Sequence, residues 1–366
     1  TKLTLRESHE SNPSPGFQIA YGALVDVKDT PGSTSIGPYD KEAMTLFDYR
    51  TDHFDDDESL AIAERAPTFM YAMPLYDNKI FFEETSLVAR PAVSFQECKE
   101  RCIKRLKHLG IEVTGVDEEE FCYIPMGGAL PARDQRILAL GGAAAIVHPS
   151  TGYHICRCLM GAADLAAVVR KELSPATADL DKTARLAYDA LWSPSTIRQR
   201  NFAVFGGDFL MKQNVEGLRG FFDGFFKLPL DLWGGFLAGW PGLPNNVNHE
   251  TWNARLWFGL NFVFKLPPGV ALAMATSIVS YSLGEGIALV QSVTPFFGEP
   301  RGYNTDKNKD VVGDLPAKME GRAMIEQSKV SFDLPAFFSD SAGTTASTMV
   351  IDELEFVRTK EVQNDV

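Results

Sequence analysis

No Gly-x-Gly-x-x-Gly stretch occurs anywhere in the 366 residues, so the phosphate-binding turn of a complete Rossmann unit is missing from this sequence. Cysteine is sparse: Cys98, Cys102, Cys122, Cys156 and Cys158 make an odd count with no C-x-x-C pair. That pattern argues against both a disulfide framework and a zinc site. Cys98 and Cys102 stand four apart, the spacing of one helix face, where packing is the expected role rather than metal binding. Positive charge is in deficit too, with 35 Lys and Arg against 48 Asp and Glu, a net charge of -13. Such a chain lacks the basic footprint that nucleic acid requires. The N-terminus shows no signal or transit-peptide pattern. Residues 266–284 carry no charged group, but Pro267-Pro268 and several small or hydroxylated positions favour a buried or interfacial helix over a membrane span.

What the sequence does hold is apolar and aromatic: 45% hydrophobic residues and 11% Phe, Trp and Tyr, in a chain long enough for a large core and two domains. The centre of interest is the stretch from Phe69 to Pro91. Two apolar runs flank Asp77-Asn78, which is turn chemistry, so a β-hairpin is expected. Its second strand ends in paired carboxylates, Glu83 and Glu84. Successive strand side chains point to opposite faces, so the two cannot share one cavity. One should face an apolar interior, the other a polar partner or solvent. A carboxyl in an apolar pocket stays protonated near neutral pH, as a general acid must. The plainer alternative is a strand end with two solvated acids.

Ala72-Met73-Pro74 and Phe82-Glu83-Glu84-Thr85-Ser86-Leu87-Val88-Ala89-Arg90-Pro91 resemble the signature of the plant and algal lycopene cyclases. Three more stretches resemble that family in the same order: Gly16-Phe17-Gln18-Ile19-Ala20-Tyr21-Gly22; Ile124-Pro125-Met126-Gly127-Gly128-Ala129-Leu130-Pro131; and Gly141-Gly142 through His148-Pro149-Ser150-Thr151-Gly152-Tyr153. The resemblance runs from about Pro13 to about Phe297. It implies a mixed α/β and α+β, FAD-dependent hydroxylase-like fold: part of a Rossmann-type FAD domain, an antiparallel-sheet substrate domain and a helical C-terminal region. Family members carry the glycine fingerprint near their N-terminus, so an N-terminally truncated piece is expected, inactive without it. The implied activity is a non-redox carotenoid cyclisation, an intramolecular lyase or isomerase reaction forming rings on lycopene, with the β ring favoured over the ε ring. Relatives acting on xanthophylls share the motifs, and a flavin monooxygenase or reductase of the same fold is the competing reading. Reduced FAD would be the cofactor, with NADPH as its reductant. The implied setting is a plastid (chloroplast), at a thylakoid or envelope membrane. The implied partners are a carotene, the membrane surface by peripheral association and other carotenoid enzymes, but no nucleic acid.

The site residues carried over from this resemblance are Glu83 as proton donor and Glu84 as the alternative donor or tuning charge. Tyr71, Phe81 and Phe82 would offer aromatic faces to a carbocation. Asp48 and Arg50 would line the pocket, or else form a surface ion pair. A strand at Ile137 to Leu140, the turn at Gly141, Gly142 and Ala143, and a helix entered through His148, Pro149, Ser150, Thr151 and Gly152 would present amides and a positive dipole end to the flavin. The same pattern is also that of a tight turn needing small residues. No metal site is expected.

Along the chain, residues 1–15 read as a connector, Phe17 to Val27 and Met44 to Tyr49 as strands, and Asp55 to Glu58 as a solvated acidic loop. Ser94 to Gly110 delimit a helix. Glu112 to Val116 and Phe121 to Ile124 read as short strands about an acidic turn at Asp117 to Glu120. A long helix is expected from Gly152 to Glu172, and helical stretches at Asp181 to Arg200, Phe202 to Met211 and Leu218 to Phe226. The expected division is 1–135 (substrate domain), 136–180 (C-terminal part of the FAD domain), 181–299 (helical, aromatic-rich, membrane-associating) and 300–366 (a disordered tail).

Overall fold

The computed structural model describes residues 16–28, 31–76, 78–175, 177–238, 249, 251–284 and 287–296, so the expectations for 1–15 and 300–366 lie outside the described residues. The apolar alternation from Gly16 builds the longest inner strand, β1 (Gly16–Val27), followed by the small ribbon β2 (Ser35–Ile36) and β3 (Tyr39–Asp40) and by β4 (Thr45–Asp48). The acidic run expected as a loop instead starts a helix, α1 (Asp57–Arg65). Asp56 caps it by accepting the Ser59 amide, and Asp57 and Glu58 sit in the first turn, where the helix dipole favours negative charge.

The hairpin forms as β5 (Thr68–Tyr76) and β6 (Lys79–Ser86). Helix α2 (Phe95–His108) follows, capped by Ser94, with Gly110 left-handed just beyond its end. Next comes β7 (Val113–Met126), one continuous strand where two strands and an acidic turn were expected. The acids tolerate strand conformation because β7 is an edge strand. Glu119 is met by the Tyr21 hydroxyl at 2.6 Å and Lys99 at 2.8 Å, and Asp117 by Lys79. The five-stranded order is β4-β5-β6-β1-β7, with every pairing antiparallel.

Alternation gives this sheet two faces with separate cores. Ile19, Tyr21, Met70, Ala72 and Phe82 pack under α2 through Cys98, Cys102 and Leu106. On the other face Phe69, Leu87 and Met126 join an aromatic core with Phe209, Phe222 and Phe225. Each such buried side chain contributes roughly 1.5–3 kcal/mol.

Ile137 to Leu140, expected as a strand, is irregular and largely exposed, and Gly141–Ala144 is a 3-10 turn. The remaining elements are helices: α3 (Ile155–Leu173), α4 (Leu180–Leu191), α5 (Pro194–Leu210), α6 (Val215–Phe226), α7 (Leu230–Ala238), α8 (Trp252–Lys265), α9 (Pro268–Gly284) and α10 (Ile287–Val293). The stretch expected to run from Asp181 to Arg200 breaks at Ser193, which caps α5, and Pro194 occupies its first turn; α5 then continues through Phe202. Of α9 only Met274 is buried, whereas Leu272, Val279 and Leu283 are exposed, Leu283 at 84%. Phe264 of α8 is also 84% exposed. The aromatic-rich region is therefore a core built on α5 and α6 and joined by Phe236, Phe258 and Phe262, with an apolar surface on the outer faces of α8 and α9. Among the described residues no single helix is long and apolar enough to cross a membrane; α9 and α10, bent by 115°, pass that test only together.

Candidate active site: two glutamates on opposite faces of the sheet

Glu83 and Glu84 are neighbours in sequence and strangers in space. Glu84 pairs in register with Met70 of β5 and Tyr21 of β1, both in the core beneath α2. It is fully buried. Arg105 of α2 grips it with both arms, Nε donating to Oε2 at 2.8 Å and Nη2 to Oε1 at 2.9 Å. The Thr68 hydroxyl donates to Oε1 at 2.6 Å. Arg105 spends its remaining arm on the Arg50 carbonyl at 2.7 Å and lies 4.0 Å from Asp48. A bidentate guanidinium fork matches carboxylate geometry and holds the charge in place. Glu84 is therefore an ion-pair anchor with no open side, which corrects its expected role as alternative donor or as the charge tuning Glu83.

Asp48 and Arg50 belong to this same network. Asp48 accepts from the Tyr39 hydroxyl at 2.8 Å and from Arg50 Nε. Burial alone would push its carboxyl up, but the Arg50 hydrogen bonds, the Arg105 charge and Tyr39 outweigh it and hold Asp48 down at about 2. Phe82 packs on Tyr39, ring centroids 5.8 Å apart, also beneath α2. Phe82, by strand alternation, and Asp48, in register with Met70 after the irregularity in β4, lie across the sheet from Glu83, and Arg50 is held to Asp48, so the expectation that these three share its pocket is corrected.

Glu83 faces the other way. Its register partners are Gly22 and Tyr71. Phe81 and Met73 stand on the same face, one rung along, and all four side chains other than glycine are only partly buried. The Phe81 ring lies across Gly22: a Cβ there would sit 2.3 Å from its Cζ. The result is a half-open apolar trough formed by Tyr71, Met73 and Phe81, with the Glu83 carboxyl among them and Glu120 two strands away on the same face. Burial, and then the nearby charge of Glu120, push the Glu83 carboxyl up to about 7. Burial followed by the Glu83 charge likewise raises the Tyr71 phenol. Of the expected aromatic faces, Tyr71 and Phe81 are therefore beside Glu83.

Sequence reasoning missed Arg105 and Glu120. Arg105 sits on the buried stripe of α2 with Cys98, Cys102 and Leu106, and an arginine on an apolar stripe signals a buried acid opposite. Glu120 lies two residues from Cys122, a parity visible only when β7 is read as unbroken.

The glycine-turn motif lies elsewhere. His148, Pro149, Ser150 and Thr151 are buried, with the Ser150 hydroxyl donating to the Ala203 carbonyl of α5. His148 Nδ1 accepts the Ser150 amide at 3.3 Å, so this histidine closes its own turn. Gly152 has φ +76, and a Cβ there would meet Gln18 Oε1 at 2.1 Å, which ties the first motif to the last. Gly141, Gly142 and Ala143 are half-buried. Parts of three motifs, Arg90, Met126 to Gly128 and Pro149, line one small cavity of about 10 Å³ with Asp208 of α5. Glu83 is not part of its wall. Among the described residues no group of His, Cys, Asp and Glu is arranged to hold a metal ion.

The family profile described as lycopene cyclase protein matches residues 4–248. Lycopene beta cyclase, chloroplastic/chromoplastic, of Capsicum annuum is 42% identical over 236 residues, 64% of this chain and 46% of that protein. The chloroplastic lycopene beta cyclase of Arabidopsis thaliana is 43% identical over 229 residues, 62% of this chain and 44% of that protein. The capsanthin/capsorubin synthase of Capsicum annuum is 40% identical over 227 residues, 61% of this chain and 44% of that protein. The matched stretch thus spans a little under half the length of each relative. With its signature strand, glycine turns and sheet assembled as described, the chain belongs to the lycopene cyclase family.

Proposed function

We propose that this protein takes part in lycopene beta-cyclase-like carotenoid cyclisation, with Glu83 as the proton donor. The observation that carries this reading is the Glu83 carboxyl, set in an apolar trough beside Tyr71 and Phe81 and pushed up to about 7 by burial and then by Glu120. Ring formation needs a proton on a terminal double bond, attack of the neighbouring double bond on the resulting cation, and loss of a proton from an adjacent carbon. Atoms balance, and the product has the mass of the substrate. With its carboxyl pushed up to about 7, Glu83 carries the first proton in a substantial fraction of molecules near neutral pH. The faces of Tyr71 and Phe81 attract the cation. Glu84, locked on Arg105, fixes the height of the strand that carries Glu83.

The finer fold reading, FAD-dependent hydroxylase-like, is part of this proposal, as is the division into a substrate part (1–135), an FAD part (136–180), a membrane-associating helical part (181–299) and a tail (300–366). The residues fit an anionic cofactor in part. Gly141 has φ +68 with only Cys158 Sγ near, at 3.8 Å, and α3 begins at His154 with no side chain capping its first amides. Gly141, Gly142, Ala143 and the first turn of α3 would hold the group, with Gly152 shaping the approach. His148, Pro149, Ser150 and Thr151 would serve the turn beneath it. Reduced FAD, with NADPH as its reductant, would supply negative charge density without turning over. The names of the relatives support a plastid setting, and the exposed apolar residues of α8 and α9 support peripheral contact with its membranes, where an apolar carotene resides.

The test replaces the matched stretch of the Capsicum annuum lycopene beta cyclase by residues 16–238 of this chain in lycopene-accumulating bacteria. Ringed product of unchanged mass is expected, β rings in excess, and none from the Glu83→Gln chimera. Full product from Glu83→Gln would remove Glu83 from the chemistry. An oxygenated or reduced product would point to a monooxygenase or reductase instead.

A further inference from the structure

Gly22 of β1 has two register partners: Glu83 on β6 and Glu120 on β7. Both carboxylates therefore rise on the same face, two strands apart, and Gly22 itself contributes no side chain between them. The Phe81 ring fills the space over Gly22 and lends the pair an apolar surrounding. Cys122, next on the same face of β7, donates its thiol to Glu120 Oε1 at 2.8 Å and so directs that carboxylate. We propose that Glu120 is the partner carboxylate of Glu83, a positioning residue that keeps the proton of the pair on Glu83 from across β1 at Gly22. This rests on the reading of Glu83 as proton donor and adds the group that readies it.

The asymmetry of the pair decides which member holds the proton. Glu120 is exposed and solvated, whereas Glu83 is partly buried in the trough, so a charge costs more on Glu83. Two interacting carboxyls share their titration, and the more buried one keeps its proton to higher pH. The other groups facing Glu83 do not reverse this order. Tyr71 on β5 is neutral. Lys79, two rungs along β6, is spent on Asp26, at 2.9 and 3.0 Å, and on Asp117. Glu118, opposite Leu24 on β7, adds charge of the same sign as Glu120. The neighbouring Cys122 thiol is itself pushed up to about 12 by burial and then by its bond to Glu120, so it stays a donor.

The test follows the Glu83 carboxyl directly, by carbon-13 NMR of the full chain labelled at glutamate carboxyls, with the Glu83 signal assigned through Glu83→Gln. The parent midpoint is expected near 7. Glu120→Gln should lower it by about half a pH unit or more, and Glu120→Asp, which keeps the charge, should restore most of it. Glu120 is exposed, so both variants should fold. In the chimera, the pH at which cyclisation falls away should move down with the midpoint in Glu120→Gln. A Glu83 midpoint unchanged in Glu120→Gln overturns the inference, whatever the activity. A midpoint that moves while no chimera cyclises leaves the carboxylate pair standing and removes the proposed function.

Discussion

Replacing Arg105 by methionine should be among the most damaging single changes available in this chain. Methionine retains a long unbranched stem, so packing under α2 changes little, but Glu84 loses both guanidinium bonds, at 2.8 and 2.9 Å. Only the Thr68 hydroxyl remains to it, at 2.6 Å. Stranding one member of a buried pair costs about 3–5 kcal/mol. Loss of the bond to the Arg50 carbonyl adds about 1 kcal/mol. Against a typical domain stability of roughly 5–15 kcal/mol, that removes much of the margin. Glu84→Gln combined with Arg105→Met removes the stranded charge, so the double variant should recover about 2–3 kcal/mol relative to the sum of the two single changes. Urea denaturation of parent, both singles and the double, followed by tryptophan fluorescence, measures the cycle. An Arg105→Met cost below about 1 kcal/mol, or a double variant no better than additive, would refute the assignment of Glu84 as the ion-pair partner of Arg105.

Two further outcomes follow from the same geometry. The Glu83 carboxyl is raised in the folded state, so the native protein binds the extra proton and loses stability as pH climbs from about 4.5 to about 7. Glu83→Gln escapes this loss: with allowance for partial exposure it should be about 2 kcal/mol more stable than the parent at pH 8 and equal to it at pH 4, and a difference independent of pH would contradict the trough environment. Gly152→Ala should destabilise by about 2–3 kcal/mol, because φ +76 is costly for alanine and the new methyl meets Gln18 Oε1 at 2.1 Å. Adding Gln18→Ala should return the steric part, as thermal unfolding of the pair would show.

Much of the architecture was legible because its signals are local. The hairpin about Asn78, the Ser94 cap with the Cys98, Cys102 and Leu106 stripe, and the inner strand from Phe17 all depend on neighbours within a few residues. Errors arose where a local rule met a tertiary one. Asp117 to Glu120 read as a turn because acids are poor strand formers, yet Lys79, Lys99 and Tyr21 hold them in an edge strand. Asp55 to Glu58 read as a loop although Asp56 is a good helix cap.

The opposition of Glu83 and Glu84 is a property of the chain itself, since extended backbone sends adjacent side chains to opposite faces wherever it is placed. Which face would be sealed by an arginine and which would stay a half-open apolar trough was decided only when α2 packed on one side and β7 came to lie beside β1. The physical reason is range: alternation is set by covalent geometry, whereas the electrostatic environment of a carboxyl is set by whatever charge stands within a few ångströms of it. Arg105 is 21 residues from Glu84, and Glu120 reaches the Glu83 rung only through Gly22.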